Sequence, residues 1–383
     1  MTTGDRWQLP DGIDELLPGP AARLEALRRR LLDLHRGWGY QLVMPPLVEF
    51  TESLLIGLGA DIDRLTFRLT DQLSGRNMGV RADITPQVAR IDAHSLAGNG
   101  VNRFCYAGSV LHTRPTTLLG SRSPVKLGAE IYGDASLAAD LEVISLMLET
   151  LRAAGIEGVT LDLGHVGIAS GLLAELDDAL RDPVYEALQR KSRPDLEQLL
   201  DGVDAKLAGR VMELASLHGG LEVLDRVPAG HAAVDEAIAE LRQVAAAIAE
   251  RYPAVEVYFD LAELRGYRYH TGLVFAAYVA EQGRALANGG RYDDVGEVFG
   301  RPRPATGFST DLLVLLELAA ADQPPEAGAI AAPAEGDAAL WQAVDSLRAA
   351  GQIVINDVST TRDPRCDRQL VLRDGEWTVE ELE

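Results

Sequence analysis

Residues 268–292 read RYHTGLVFAAYVAEQGRALANGGRY. The runs RYHTGLVFAAYV and RALANGGRY flank a turn near Glu281–Gly283, and together they read as a β-hairpin. A hairpin pairs its strands antiparallel, which argues against a regular βαβ alternation with a crossover helix after each strand. Just upstream, ELRGYRYHTG (263–272) places Arg265, Tyr267, Arg268, Tyr269 and His270 ahead of the apolar stretch. A strand buried for packing alone has no need of so many hydrogen-bonding groups. The segment reads as a strand that passes under a small polar ligand.

Working outward, GPAARLEALRRRLLDLHRGWG (19–39) has Leu24, Leu27, Leu31 and Leu34 on one stripe, Pro20 suited to a first turn, and Gly37 and Gly39 to end it. YQLVMPPLVEF (40–50) is a short strand broken by Pro45 and Pro46. A second helix opens at Ser136, with Leu137, Leu141, Ile144, Leu148 and Leu151 on one face and Gly155 at its end. VTLDLGH (159–165) and VEVYFDL (255–261) are strands. Residues 170–250 between them are helical in pattern, with Val234, Ile238, Leu241 and Ile248 as a stripe. STDLLVLLELAA (309–320) reads as a helix capped by Ser309. These elements predict an α+β fold: a mostly antiparallel sheet flanked by helices, with a helical insertion at about 170–250.

The Pro-, Ala- and Gly-rich stretch DQPPEAGAIAAPAEGDA (322–338) marks a boundary, although AIAAP within it suits a short strand. A helix (ALWQAVDSLRAAG, 339–351), a strand (QIVIN, 352–356) and a hairpin centred on Asp374-Gly375 follow. The predicted organisation is a core over 1–322 and a small α/β domain over 326–383.

With 47% hydrophobic and 25% charged residues, the composition is that of an ordinary globular chain. No apolar run approaches the ~20 residues of a membrane span, and the N-terminus has no signal-peptide pattern. No membrane association is expected. The net charge of −22 weighs against nucleic acid as a partner, since phosphate contacts need clustered Lys and Arg. Cys105 and Cys366 are expected as reduced thiols in a cytoplasmic protein. There is no phosphate-binding Gly-rich loop, no C-x-x-C pair, no H-x-x-x-H spacing among the seven histidines, and no G-x-S-x-G elbow. No metal or cofactor is expected.

Polar stretches do interrupt the apolar pattern: VRADITPQVAR (80–90), YAGSVLHTRP (106–115), SRSPVKLGAEIYG (121–133), LRGYRYHTG (264–272) and ANGGRYDDVGEVFGRPRPATGFS (287–309). Asp83 and Glu130 suit an ammonium group, and Thr85 adds a hydroxyl. Arg265 suits a carboxylate or phosphate, and Tyr269 and His270 suit a ring. Each stretch alone also reads blandly. Asp-Ile-Thr-Pro is often a helix start, and Gly-Gly-Arg-Tyr a turn.

Taken together and in order, these stretches resemble the catalytic core of histidyl-tRNA synthetase, a class II aminoacyl-tRNA synthetase, over roughly residues 8–320. RGWGYQLVMPPLVEF (36–50) is similar to the family's dimer-forming motif 1. RADITPQ (81–87) resembles its amino-acid-gripping loop, LRGYRYHTGLVF (264–275) its histidine signature, and GGRYD (289–293) its glycine-rich strand. The resemblance implies a histidine site comprising Asp83, Thr85, Lys126, Glu130, Arg265, Tyr269 and His270.

Departures from the family matter as much. Ungapped counting puts His112 at the motif 2 arginine position, Val314 at the motif 3 arginine position, and Asp311 where a glycine is expected. Such a positioned cation contributes roughly 3–4 kcal/mol to the transition state of adenylation. Lys126 stands for a glutamine, Arg268 for an aspartate and His270 for a tyrosine. The C-terminal piece is shorter than an anticodon-binding domain. A synthetase core altered in these ways resembles the regulatory subunits of ATP phosphoribosyltransferase. That resemblance implies a subunit with no catalytic residues, needed by a short-form catalytic subunit in the first step of L-histidine biosynthesis. It also implies L-histidine as feedback effector and a homodimer, joined near residues 33–52, within a hetero-oligomer taken as a hetero-octamer. The competing readings are an active histidyl-tRNA synthetase and a stand-alone histidine-binding protein.

Overall fold

The computed structural model describes residues 7–55, 60–96, 98–115, 120–227, 231–262, 270–280, 282–319, 328–357 and 362–382. The chain forms two compact units, Met1–Ala320 and Ala321–Glu383.

The first unit is built on a nine-stranded sheet. The predicted hairpin is present: Leu273–Tyr278 pairs antiparallel with Ala287–Arg291. Ala287–Arg291 pairs with Ala305–Asp311, which pairs with Val125–Tyr132, which pairs with Asn102–Ser109, all antiparallel. Two pairings are parallel, and each encloses a long crossover. Thr160–His165 lies parallel to Glu256–Asp260, and the helices from Val166–Leu173 to Ala232–Arg251 fill the chain between them. Gln41–Leu42 lies parallel to Asn102–Ser109. The proline pair does more than break a strand: Gln41–Leu42 joins the large sheet, while Val48–Phe50 joins a separate three-stranded sheet with Asn77–Val80 and Phe67–Thr70.

The helices pack on one face of the large sheet. Leu27 and Leu31 of Pro18–Gly37, and Ile144, Leu148 and Leu151 of Leu137–Ala153, share a core with Leu127, Ala129 and Ile131 of the sheet. A fully buried leucine contributes roughly 1.5–3 kcal/mol, so this face carries most of the apolar driving force. His35 completes the first helix's stripe. Its Nε2 donates to Thr150 Oγ1 at 2.9 Å, since that hydroxyl itself donates to the Leu146 carbonyl. Burial holds the imidazole neutral, with its pKa lowered to about 4. On the opposite face lies a second cluster, with Phe104, Tyr106, Tyr132, Tyr292 and Ala305 against Ile84, Val88 and Ala89.

Two expectations are corrected. Ser309 does not cap a helix; it lies within the Ala305–Asp311 strand, paired with Asn288 and Gly128. The cap of Leu312–Leu318 is Asp311, whose Oδ1 accepts from the Leu313 amide at 3.0 Å. The hairpin's first strand begins at Leu273, so His270 precedes it, and Arg265, Tyr267, Arg268 and Tyr269 lie outside the described residues.

The second unit is a four-stranded sheet with one helix, Ala338–Ala349. Ala329–Pro333 pairs parallel with Val354–Asp357 and with Cys366–Arg373, and the last strand, Glu376–Glu381, closes the hairpin. Asp374 and Gly375 take φ of 49° and 86°, the left-handed pair that a tight two-residue hairpin turn requires.

Candidate functional site

Strand alternation decides which residues reach the face away from the helices. On Val125–Tyr132, the core side is Leu127, Ala129 and Ile131, so Lys126, Gly128, Glu130 and Tyr132 face the other way. Register then sets their neighbours. Glu130 sits opposite Phe104 on one side and Gly307 on the other, and Gly307 sits opposite Gly290.

Glycine at these positions leaves a hollow that side chains fill. A Cβ on Gly307 would meet Tyr292 Oη at 2.4 Å and Glu130 Cγ at 2.7 Å. One on Gly128 would meet the Tyr106 hydroxyl at 2.4 Å, and one on Gly290 the His270 ring at 2.9 Å. The tyrosines, His270 and Glu130 therefore rest on bare backbone. The His270 and Tyr292 rings lie 6.2 Å apart.

Glu130 is 1% exposed. Tyr132 donates to its Oε2, and Oε1 has no hydrogen-bond partner among the described residues. Thr85 and Tyr106 share a hydroxyl contact of 3.2 Å beside it. Burial pushes the Glu130 carboxyl up to about 8; the Tyr132, Thr85 and Tyr292 hydroxyls oppose the shift, and the charge of Asp83 adds to it. Asp83 enters through the turn before the Thr85–Arg90 helix, where its Oδ1 accepts from the Ile84 amide at 2.7 Å. That helix is fixed from behind: Gln87 donates to the Pro46 carbonyl at 2.7 Å and to Glu49 at 2.8 Å, and Arg90 pairs with Glu49 at 2.6 Å.

A group with its folded pKa raised stabilises fully below its unfolded value, and that contribution is lost as pH rises through the folded value. For Glu130 the window runs from 4.5 to about 8. The ligand-free protein is therefore expected to lose stability across this window, and Glu130→Gln to flatten the loss. Urea midpoints of both proteins from about pH 6 to about pH 9 check this, and parallel profiles would refute it.

Lys126 lies on the same sheet face, two positions along the strand from Gly128. With His112, Asp311, Val314, Arg23 and Arg284 it lines a cavity of about 840 Å³. His112 is buried, and its Nε2–H donates to the Ala82 carbonyl at 2.9 Å, leaving Nδ1 without a partner among the described residues. Burial lowers its pKa and Lys126 adds to the effect, so this is a neutral imidazole. Asp311 spends one oxygen on the amides of Leu313 and Val125. Val314 is buried against the helical core.

The structure thus brings Asp83, Thr85, Glu130 and His270 together around the side chains seated on Gly128, Gly290 and Gly307. Lys126, His112, Asp311 and Val314 surround the adjoining cavity, and Arg265 and Tyr269 lie outside the described residues. Sequence reasoning missed Tyr106, Tyr132 and Tyr292. The usable signal was an aromatic residue in register with a glycine across paired strands: Tyr106 sits opposite Gly128. Among the described residues no cluster is placed to hold a metal ion, and no helix is long and apolar enough to cross a membrane. Both cysteines are free thiols.

Known proteins share this architecture and this sequence. The Histidyl-tRNA synthetase family model matches residues 12–315, and the model described as "ATP phosphoribosyltransferase subunit HisZ C-terminal domain" matches residues 327–380. A protein of Pseudomonas aeruginosa strain LESB58, named ATP phosphoribosyltransferase regulatory subunit, is 53% identical, with 100% of each chain covered. One from Stutzerimonas stutzeri with the same name is 52% identical over the same full coverage. Among solved structures, an ATP phosphoribosyltransferase regulatory subunit/histidyl-tRNA synthetase from Bacillus halodurans aligns with TM-score 0.82 and 26% identity, covering 95% of this chain and 96% of that one. Histidyl-tRNA synthetase from Nostoc aligns with TM-score 0.77 at 17% identity, covering 98% and 97%, which shows the shared class II fold. With full-length identity above one half and a match to the C-terminal model as well as to the synthetase core, the chain belongs to the family of ATP phosphoribosyltransferase regulatory subunits.

Proposed function

We propose that this chain performs no chemistry itself and acts in the cytoplasm as the regulatory subunit required by a separate, short-form ATP phosphoribosyltransferase catalytic subunit. L-Histidine is the feedback effector of this first step of histidine biosynthesis, and it binds in the hollow over Glu130. The assembly is a homodimer of this chain within a hetero-octamer. One observation carries the effector site: a fully buried carboxyl, with an oxygen unpartnered among the described residues, framed by Asp83, Thr85 and His270 on a glycine floor. Carboxylates there suit the ligand's ammonium or imidazole, while Arg265 and Lys126 suit its carboxylate. The names of the relatives support the catalytic partner.

The lack of synthetase chemistry follows from His112 and Val314 at the arginine positions. A neutral imidazole and a buried valine supply no fixed cation to a developing phosphate charge. No pyrophosphate exchange with histidine and ATP is expected, and clear exchange would overturn this reading.

Feedback requires two states of the complex with different histidine affinity. In the complex with the catalytic subunit, Glu130→Gln is expected to raise the half-inhibitory histidine concentration about 10–150-fold, the loss of a charge-assisted hydrogen bond of about 1.5–3 kcal/mol. Each variant is compared with its own uninhibited rate. If Glu130→Gln and Lys126→Ala both leave inhibition unchanged, the effector binds elsewhere.

A further inference from the structure

Among the described residues, the groups nearest Glu130 are another carboxyl and hydroxyls, with no fixed cation paired to it. The turn before the Thr85–Arg90 helix presents Asp83, itself a carboxylate, and the helix presents the Thr85 hydroxyl. The Asn102–Ser109 strand presents Tyr106, Glu130's own strand presents Tyr132, and the end of the Ala287–Arg291 strand presents Tyr292, with the His270 ring against it. Lys126 lies on the same face but acts on His112. Among the described residues, the guanidinium groups of the packed elements are committed elsewhere. Arg81 donates to the carbonyls of Ser109 and Pro45, and Arg303 pairs with Asp92. Glu130 makes no ion pair among the described residues, and one of its oxygens accepts nothing. A carboxylate in that position would carry an unpaired charge out of water, at a cost that a bound proton removes.

We propose that Glu130 carries a proton on Oε1 in the ligand-free protein and releases it when the effector's α-ammonium group binds, so that effector binding expels one proton. This rests on the reading of L-histidine as the effector. The O–H bond of the carboxyl breaks and its proton passes to water or a buffer base. The ligand's N–H then donates to the freed carboxylate. The charge at Glu130 is the same before and after, because the ligand's ammonium replaces the proton; the ligand's own carboxylate is left to Lys126 to balance. Affinity consequently depends on pH, and the effector binds more weakly under acid conditions. The raised Glu130 pKa of about 8 agrees with this geometry and sets the range in which the coupling operates.

The test is titration calorimetry of L-histidine into the complex with the catalytic subunit, in phosphate and in Tris at one pH near neutrality. Buffers of different ionisation enthalpy report the protons released. About one proton per site is expected, with affinity rising by up to roughly tenfold per pH unit until pH approaches 8. Glu130→Gln is expected to bind more weakly, with buffer-independent heat and a flat profile in that range. Tyr132→Phe keeps the carboxyl but removes the hydrogen bond that favours its charge, so the profile should move to higher pH. Histidine binding that depends on Glu130 but shows no buffer-dependent heat overturns the proton coupling and leaves the effector reading standing. Absence of histidine binding at every pH overturns both.

Discussion

Arg291→Met is expected to destabilise the protein by about 3–5 kcal/mol, because it leaves Asp140 as an uncompensated buried charge. Arg291 is 9% and Asp140 3% exposed, and the guanidinium donates to Asp140 Oδ2 at 3.0 and 2.8 Å. It also donates to the carbonyls of Asp134 and Ser136, so a single side chain holds the first turn of the Leu137–Ala153 helix to the sheet. Burial works against its charge, and the Asp140 and Asp293 carboxylates more than offset that, so its pKa stands above the ordinary arginine value. The exposed Arg152–Glu149 pair on the same helix is expected to contribute no more than about 1 kcal/mol. Urea unfolding measures both. The double change Arg291→Met with Asp140→Leu should recover much of the loss, since it removes the orphaned charge; a loss of the same size would mean that packing alone sets the cost. The pair also touches the site. Asp293 Oδ1 accepts from both Arg291 and the Ala305 amide, which fixes the turn immediately after Tyr292.

The hairpins were legible because turn chemistry and alternation agree at short range. Asp374-Gly375 and the 268–292 segment needed no knowledge of anything distant. The Ser309 cap was misread for the opposite reason. Ser309 and Thr310 are good cap residues locally, but both are held in extended pairing between Ala287–Arg291 and Val125–Tyr132, strands far apart in sequence. The parallel pair Thr160–His165 and Glu256–Asp260 was equally hidden, since the helical block between them gives no register. In the site, Glu130 and Thr85 were singled out as polar groups interrupting an apolar pattern. Tyr106, Tyr132 and Tyr292 were not, because an aromatic residue on a strand or at its end has the same signature whether it fills a core or walls a ligand site. Only the pairing of Glu130 with Gly307, and of Gly128 with Tyr106, separates these cases.

That pairing makes Gly307→Ala the sharpest probe of the hollow. The added methyl would lie 2.4 Å from Tyr292 Oη, 2.7 Å from Glu130 Cγ and 2.8 Å from the Ala129 carbonyl. Tyr292 and Glu130 can turn aside, but the carbonyl belongs to the sheet, so the Ala305–Asp311 strand must shift as well. Overpacking of this kind costs about 1–3 kcal/mol. Because the ligand needs both displaced groups in place, the part of that strain which returns when they are restored falls on binding. Histidine affinity is expected to drop by up to about a hundredfold, at 1.4 kcal/mol per factor of ten. Gly283→Ala is the matched control: its Cβ meets nothing within 4 Å, so stability should change by under ~1 kcal/mol and binding not at all. Calorimetric titration with histidine and urea unfolding of both variants separate the two effects. If Gly307→Ala binds histidine as the parent does, the ligand does not rest on this part of the sheet. The glycines at 128, 290 and 307 would then serve only to seat the aromatic rings against the strands.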